Sequence, residues 1–196
     1  MRNRVLDQLS DMAALVDAAR GKADLLVEAA QMIAEAFAGG KKVLLFGNGG
    51  SAADAQHVAA EFVNRFLIER PPLPAVALTT DTSILTSIAN DYDFSEVFAK
   101  QIKAIGQPGD IAWGITTSGG SPNVLEGLRV ARDKQMKTIV LTGGDGGEAA
   151  DLADLLLAVE SAPTPRIQEV HLMWEHIICD LVDYIFFQRP SEEDRA

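Results

Sequence analysis

The sequence predicts an α/β protein: a five-stranded parallel sheet doubly wound between helices, flavodoxin-like in plan, with extra helices ahead of it. Three observations predict it. Five apolar runs of strand length, VLLFG (43–47), AVALTT (75–80), IAWGITT (111–117), TIVLT (138–142) and LLLAVE (155–160), recur with helical stretches between them. Runs this apolar need cover on both faces, as strands of a parallel sheet do. Two of them end in glycine- and hydroxyl-rich turns that open into helices, the junction at which such folds bind ligands. Length sets the scale: 196 residues, 47% apolar and 23% charged, suit one sizeable core, so 1–196 reads as a single domain.

Residues 1–38 read as two amphipathic helices. Val5, Leu9, Met12, Leu15, Val16 and Ala19 recur at three and four, and Leu25, Leu26, Ala29, Ile33 and Phe37 repeat the pattern after Gly21. Gly39-Gly40 stops the second helix. They carry more apolar surface than one face of a small sheet needs, which predicts burial against other subunits. The α/β core spans 41–188. Its helical stretches fall near 51–66, 82–104 with a break near Asp91, 122–134, 148–152 and 165–187. ERPPLP (69–74) reads as a loop into the second strand, and the tail SEEDRA as a frayed end.

Composition removes several function classes. Seventeen Lys and Arg against 28 Asp and Glu give −11, which argues against nucleic acid or an anionic membrane as the main partner. The one cysteine, Cys179, sits among Ile177, Ile178, Leu181 and Val182, the setting of a small buried residue, not a nucleophile. The N-terminus carries Asp7, Asp11 and Asp17 and no long apolar core. It reads as neither signal peptide nor membrane span, and the cytoplasm is the expected compartment.

The two turns read as phosphate cradles. Gly47-Asn48-Gly49-Gly50-Ser51 follows the first strand; its glycines open turn conformations closed to other residues, and Ser51 is placed to cap the next helix with Asp54 in its first turn. Thr116-Thr117-Ser118-Gly119-Gly120-Ser121-Pro122 follows the third strand, with Ser121 suited to the N-cap and Pro122 to the first helical position. Free N–H groups and the helix dipole there hold an anion without a lysine. Either turn alone could be a plain strand-to-helix connection; two in one small domain favour a ligand. Gly47, Gly49 and Ala52 match the dinucleotide fingerprint, but Asp81, at the end of the next strand, lies too far on for its acidic partner.

His57 and Glu61 stand four apart on the helix that the first cradle opens, so they share a face. Alone, such a pair is more often a surface contact than a site. The last helix adds Gln168, Glu169, His171, Glu175 and His176. Gln168 and His176 differ by eight residues, about 80° around an ideal helix, and can address one pocket; His171 takes no role. A phosphate cradle, a carboxylate and an imidazole together suggest proton abstraction beside the carbonyl of a sugar phosphate.

The segments FGNGGSAADAQHVAAEFVNRF, LTTDTSILTSIANDYDF, GITTSGGSPNV, LTGGDGG and RIQEVHLMWEH resemble the sugar isomerase (SIS) domain, and more narrowly the phosphoheptose isomerase family. That family interconverts sedoheptulose 7-phosphate and D-glycero-D-manno-heptose 7-phosphate, an aldose–ketose isomerisation through an enediol that begins ADP/GDP-heptose biosynthesis. The resemblance implies Glu61 as general base and His176 as its acid/base partner. It implies His57, Glu61, Gln168 and His176 as ligands of one zinc ion per subunit. For the substrate it implies Asn48, Gly49, Gly50, Ser51, Asn90, Asp91, Thr116, Thr117, Ser118, Ser121 and Gln168, besides Glu61, with Arg166 shaping the pocket. It also implies a homotetramer, with pockets shared between subunits and the N-terminal helices in the interface. Thr116 stands where serine is common, and Pro165 where some members have an acidic residue that contacts substrate hydroxyls. The rival reading is a non-catalytic SIS protein, a phosphosugar-binding or replication-initiation regulatory scaffold, with which this chain shares Asn64-Arg65-Phe66 and Glu69-Arg70-Pro71. Glu61 and His176, which such scaffolds can lose, favour the enzyme.

Overall fold

A computed structural model describes residues 1–160 and 163–188. Two helices come first, α1 (Arg2–Ala19) and α2 (Ala23–Ala38), divided at Gly21 by a tight turn over Arg20–Lys22. Strand and helix then alternate: β1 (Val43–Gly47), α3 (Gly50–Val63), β2 (Ala75–Ala77), α4 (Thr82–Asp91) and α5 (Val97–Ile105). There follow β3 (Ile111–Thr116), α6 (Pro122–Asp133), β4 (Lys137–Gly143), α7 (Gly147–Ala150), β5 (Leu155–Val159) and α8 (Thr164–Asp183). One wider turn, Tyr184–Gln188, extends α8. The tail SEEDRA lies outside the described residues.

All five strands are parallel, in the order β2-β1-β3-β4-β5. From β1 the chain turns first to one side of the sheet and later to the other. The crevice that such a reversal opens lies beyond the C-terminal ends of β1 and β3. Gly47 pairs in register with Ile115, so the two glycine turns emerge side by side.

Successive side chains of β1 enter two different cores, because a strand alternates faces. Val43 and Leu45 join Ile33, Trp113 and Trp174 on one face of the sheet. Leu44 and Phe46 join Phe98, Ile102 and Leu128 on the other. Each such buried side chain contributes roughly 1.5–3 kcal/mol. No helix among the described residues is long and apolar enough to cross a membrane.

The N-terminal helices divide their labour. α2 buries Leu26, Ile33 and Phe37 and packs against α8, so it belongs to the core. α1 buries only Ala19 and leaves Val5 and Leu9 open to solvent. The break near Asp91 is real: α4 ends there, and a short turn over Phe94–Glu96 leads into α5. β2 is shorter than its apolar run suggests and stops at Ala77; Asp81, beyond that run, caps α4, accepting from the Ile84 amide at 2.9 Å.

Candidate active site

The first cradle is built on glycine, not on a serine cap. Gly49 takes φ 56 and occupies the N-cap of α3, whose first helical residue is Gly50. Ser51 therefore lies inside the first turn, buried, and makes no capping bond. That corrects the expected role of Ser51 and of Asp54 behind it: the positive-φ turn at Gly49 starts the helix two residues earlier. Gly50 has a different duty. A Cβ there would come within 2.5 Å of the Gln168 Nε2, so its bare Cα is what lets that amide lie on the first turn of α3. Asn48 is held by reciprocal amide bonds with buried Asn123, both 2.8 Å.

The second cradle wraps Thr116 to Ser121. Ser121 is the N-cap of α6 and Pro122 its first residue, as the spacing predicts. Its hydroxyl does not cap the helix, however; it pairs with Thr116 Oγ1 at 3.0 Å. Pro122 has no N–H and the Val124 amide donates to Asn123 Oδ1 at 3.0 Å, so the Asn123 amide is the first-turn donor left without a side-chain cap, at a place that suits an anion. Ser118 Oγ accepts from the Gly120 amide at 3.2 Å, while Thr117 is half-buried beside it. Gly119, at φ 67, carries the tightest approach: a Cβ would lie 2.0 Å from the Gly146 carbonyl oxygen. The Gly119 carbonyl in turn accepts from the Ala149 amide at 3.0 Å. The loop after β4 thus fixes the loop after β3.

Beyond the cradles, α3 and α8 pack side by side. His57 Nε2 and His176 Nε2 lie 2.8 Å apart, so one imidazole donates to the bare nitrogen of the other. Glu61 Oε1 is 3.6 Å from His57 Nε2. The ring of Phe66 stacks on His176, centroids 5.6 Å apart. Three of the four residues expected to act together are thus brought together, and Gln168 is seated at Gly50. His, His and carboxylate suit zinc chemically. Among the described residues no group of three His, Cys, Asp or Glu side chains is already disposed around a metal position. At 2.8 Å the two imidazoles are in direct hydrogen-bond contact. Nitrogens at the corners of a tetrahedral zinc site stand about 3.3 Å apart, so a zinc ion there would require the rings to part by about half an ångström.

Two carboxylates lie behind this pair. Glu175 is fully buried and its oxygens have no partner, nor has Asp54 Oδ2, among the described residues. Burial, with the charge of Asp54 adding to it, pushes the Glu175 carboxyl up to about 8. Burial also raises Asp54, against the pull of His57. His171 is another buried titratable group of α8. Its Nε2 meets the Thr142 carbonyl at 2.9 Å and must carry the proton there, since a carbonyl only accepts. Burial pushes this imidazole down to about 4.

Other expected residues lie elsewhere. Asn90 and Asp91 are exposed at the end of α4 and hydrogen-bond to each other at 2.8 Å. Arg166 faces α1, donating to the Gln8 carbonyl at 3.1 Å and pairing with Glu169 at 2.5 Å. Sequence reasoning passed over Phe66 and Asn123. Asn123 had a legible place two residues past the expected N-cap, but an aromatic stacked on an imidazole leaves no periodic signal.

The SIS domain matches residues 9–143, and the chain belongs to the SIS domain family. It is 57% identical over 166 residues to a phosphoheptose isomerase of Nitratidesulfovibrio vulgaris (strain DSM 19637 / Miyazaki F), covering 85% of this chain and 80% of that one. It is 47% identical over 197 residues to a phosphoheptose isomerase of Shewanella sp. (strain ANA-3), covering 98% and 100%. A solved phosphoheptose isomerase from Neisseria gonorrhoeae superposes with a TM-score of 0.88 at 43% identity, covering 93% of this chain and 98% of that one. Within the SIS family, the chain's place is among the phosphoheptose isomerases.

Proposed function

We propose that the chain is a phosphoheptose isomerase, an intramolecular oxidoreductase that interconverts sedoheptulose 7-phosphate and D-glycero-D-manno-heptose 7-phosphate. One observation carries the reading: Glu61 and His176, on different helices, meet around His57 next to two anion-ready turns. The relatives named above support it. In this reading the sugar's phosphate sits among Thr116, Ser118 and Ser121 and the Asn123 amide at the start of α6, with Asn48 and Ser51 along the cleft. Anchoring at that end presents the carbonyl end to α3 and α8. Glu61 takes the proton from the carbon beside the carbonyl and returns it to the neighbouring carbon, leaving an enediol between the two steps. His176 passes a proton between the two oxygens, so the carbonyl moves by one carbon and no atom is lost.

Within the same reading, His57, Glu61, Gln168 and His176 hold one zinc ion per subunit. Such an ion, when bound, supplies a Lewis acid at the carbonyl oxygen. The enzyme works in the cytoplasm as a homotetramer whose pockets borrow residues from neighbours. Exposed Asn90 and Asp91 suit that role.

Glu61→Gln preserves size and removes the base. The expected outcome is loss of isomerisation and of solvent deuterium exchange at the carbon beside the carbonyl, with the melting temperature unchanged. Exchange at the normal rate in this variant would remove Glu61 from the role. Metal analysis addresses the ion: close to one zinc per subunit is expected in the wild type and little in His57→Ala, whereas equally negligible zinc in both would leave acid–base chemistry alone.

A further inference from the structure

We infer that Arg70 is the positioning residue for the base: its buried guanidinium ties the turn of α3 that carries Glu61 to the helix that carries His176. Arg70 lies in the loop from α3 to β2, and its side chain is 1% exposed. All three guanidinium nitrogens have partners. Nε donates to Asp183 Oδ1 at 2.7 Å, and Nη1 to the Phe62 carbonyl at 2.7 Å. Nη1 also reaches the Pro71 carbonyl at 3.2 Å, and Nη2 donates to the Glu61 carbonyl at 2.8 Å. The Phe187 ring covers the guanidinium, 5.9 Å from its central carbon.

The carbonyls matter most. α3 ends at Val63, so the carbonyls of Glu61 and Phe62 fall in its last turn, where a helix leaves acceptors unused. A cation there also meets the negative end of the helix dipole. Arg70 therefore caps α3 at the residue whose carboxylate does the chemistry. Its other hand holds Asp183, the last residue of α8, seven residues beyond His176. One planar group thus fixes the base's helix turn against the acid's helix.

Stability gives little reason for this arrangement. A buried ion pair tends to break even with an apolar pair of the same volume. Here Asp183 Oδ2 is buried without a partner among the described residues. Burial raises the Asp183 carboxyl despite its bond to Arg70. What the pair does supply is direction, because a planar fork aims its donors along fixed lines where the three donors of an ammonium rotate.

The inference rests on Glu61 being the base, and the experiment separates the two. Turnover surviving in Glu61→Gln would overturn the proposed function. With that variant inactive, two further ones decide on Arg70. The double variant Arg70→Met with Asp183→Leu removes both charges at similar volume but also the donor to the Glu61 carbonyl, so its melting temperature should fall only modestly. Its kcat should nonetheless fall between about ten- and a hundredfold, the scale of a small misplacement. KM should change less than about threefold, because the cradles lie at the other end of α3. Arg70→Lys, assayed well below its melting temperature, should show the same split with a smaller loss of kcat. Full kcat in folded Arg70→Lys, or in the double variant, would overturn the positioning role and leave Arg70 a structural residue.

Discussion

His171 and Glu175, four residues apart on α8, pull stability in opposite directions as pH changes. His171 is held neutral, pushed down to about 4 from 6.5. An unfolded chain protonates it first, so its contribution is whole above pH 6.5 and is lost as pH falls toward 4. Glu175 is held protonated up to about 8 against an ordinary 4.5. The unfolded chain ionises it first, so its contribution is whole below pH 4.5 and is lost as pH rises toward 8. Between 4.5 and 6.5 the two slopes oppose, each worth about 1.4 kcal/mol per pH unit. His171→Gln should expose the second slope. Acidification from pH 6.5 to 5 should stabilise this variant by about 2 kcal/mol relative to the change seen in the wild type. Denaturant titrations at the two pH values check it; parallel curves would mean that His171 is not held neutral.

At the level of elements, the phosphate loop borrows its shape from its neighbour. Gly119 is closed to any side chain twice over, by its φ of 67 and by the Gly146 carbonyl 2.0 Å from a would-be Cβ. The obstacle is backbone, so the loop after β4 cannot step aside as a flexible side chain could. Gly119→Ala should therefore cost at least 1–3 kcal/mol of stability and raise KM for the sugar phosphate more than it lowers kcat. Thermal melts and steady-state kinetics test this, and a variant with normal KM would move the phosphate away from Thr116–Ser121.

Elements were also what the sequence displayed best. Five apolar runs and two glycine turns were enough for the sheet, its parallel sense and the ends that carry ligand chemistry. The His57–Glu61 spacing signalled a shared face because helical periodicity is local. Partnerships across the chain were another matter. Nothing in the spacing of Arg70 and Asp183, 113 residues apart, announces that they meet. The cap of α3 was misread because Ser51 is a good N-cap by type, whereas Gly49 won by conformation. Asp54 reads as support for a cap and Glu175 as one of the polar set on the last helix, and only the packing of α3 on α8 buries them.

For the whole molecule, α1 is the helix least covered among the described residues: Met12 and Leu15 pack against the core, while Val5, Leu6 and Leu9 stay exposed. α2 is core, so removing residues 1–38 would strip Ile33 and Phe37 from the sheet face and unfold the protein. Removing residues 1–19 takes away α1 alone, with one buried residue. If the proposed tetramer uses α1, the shorter chain should keep its far-ultraviolet signature apart from the lost helix, fall to a smaller assembly, and lose turnover with it. Light scattering beside the isomerase assay reads both. A truncated monomer with full activity would end the shared-pocket reading.

Cys179 sits on α8, three residues past His176, with 1% of its surface open. Burial first, and the surrounding carboxylates after it, push its thiol well above the ordinary range, so it reacts only when the helix lifts. The chain has no other cysteine. Every molecule therefore carries a single chronometer beneath its proton-transfer groups. The rate at which a maleimide finds that sulfur counts how often α8 parts from α3, and a ligand that bridges the two helices would slow the count.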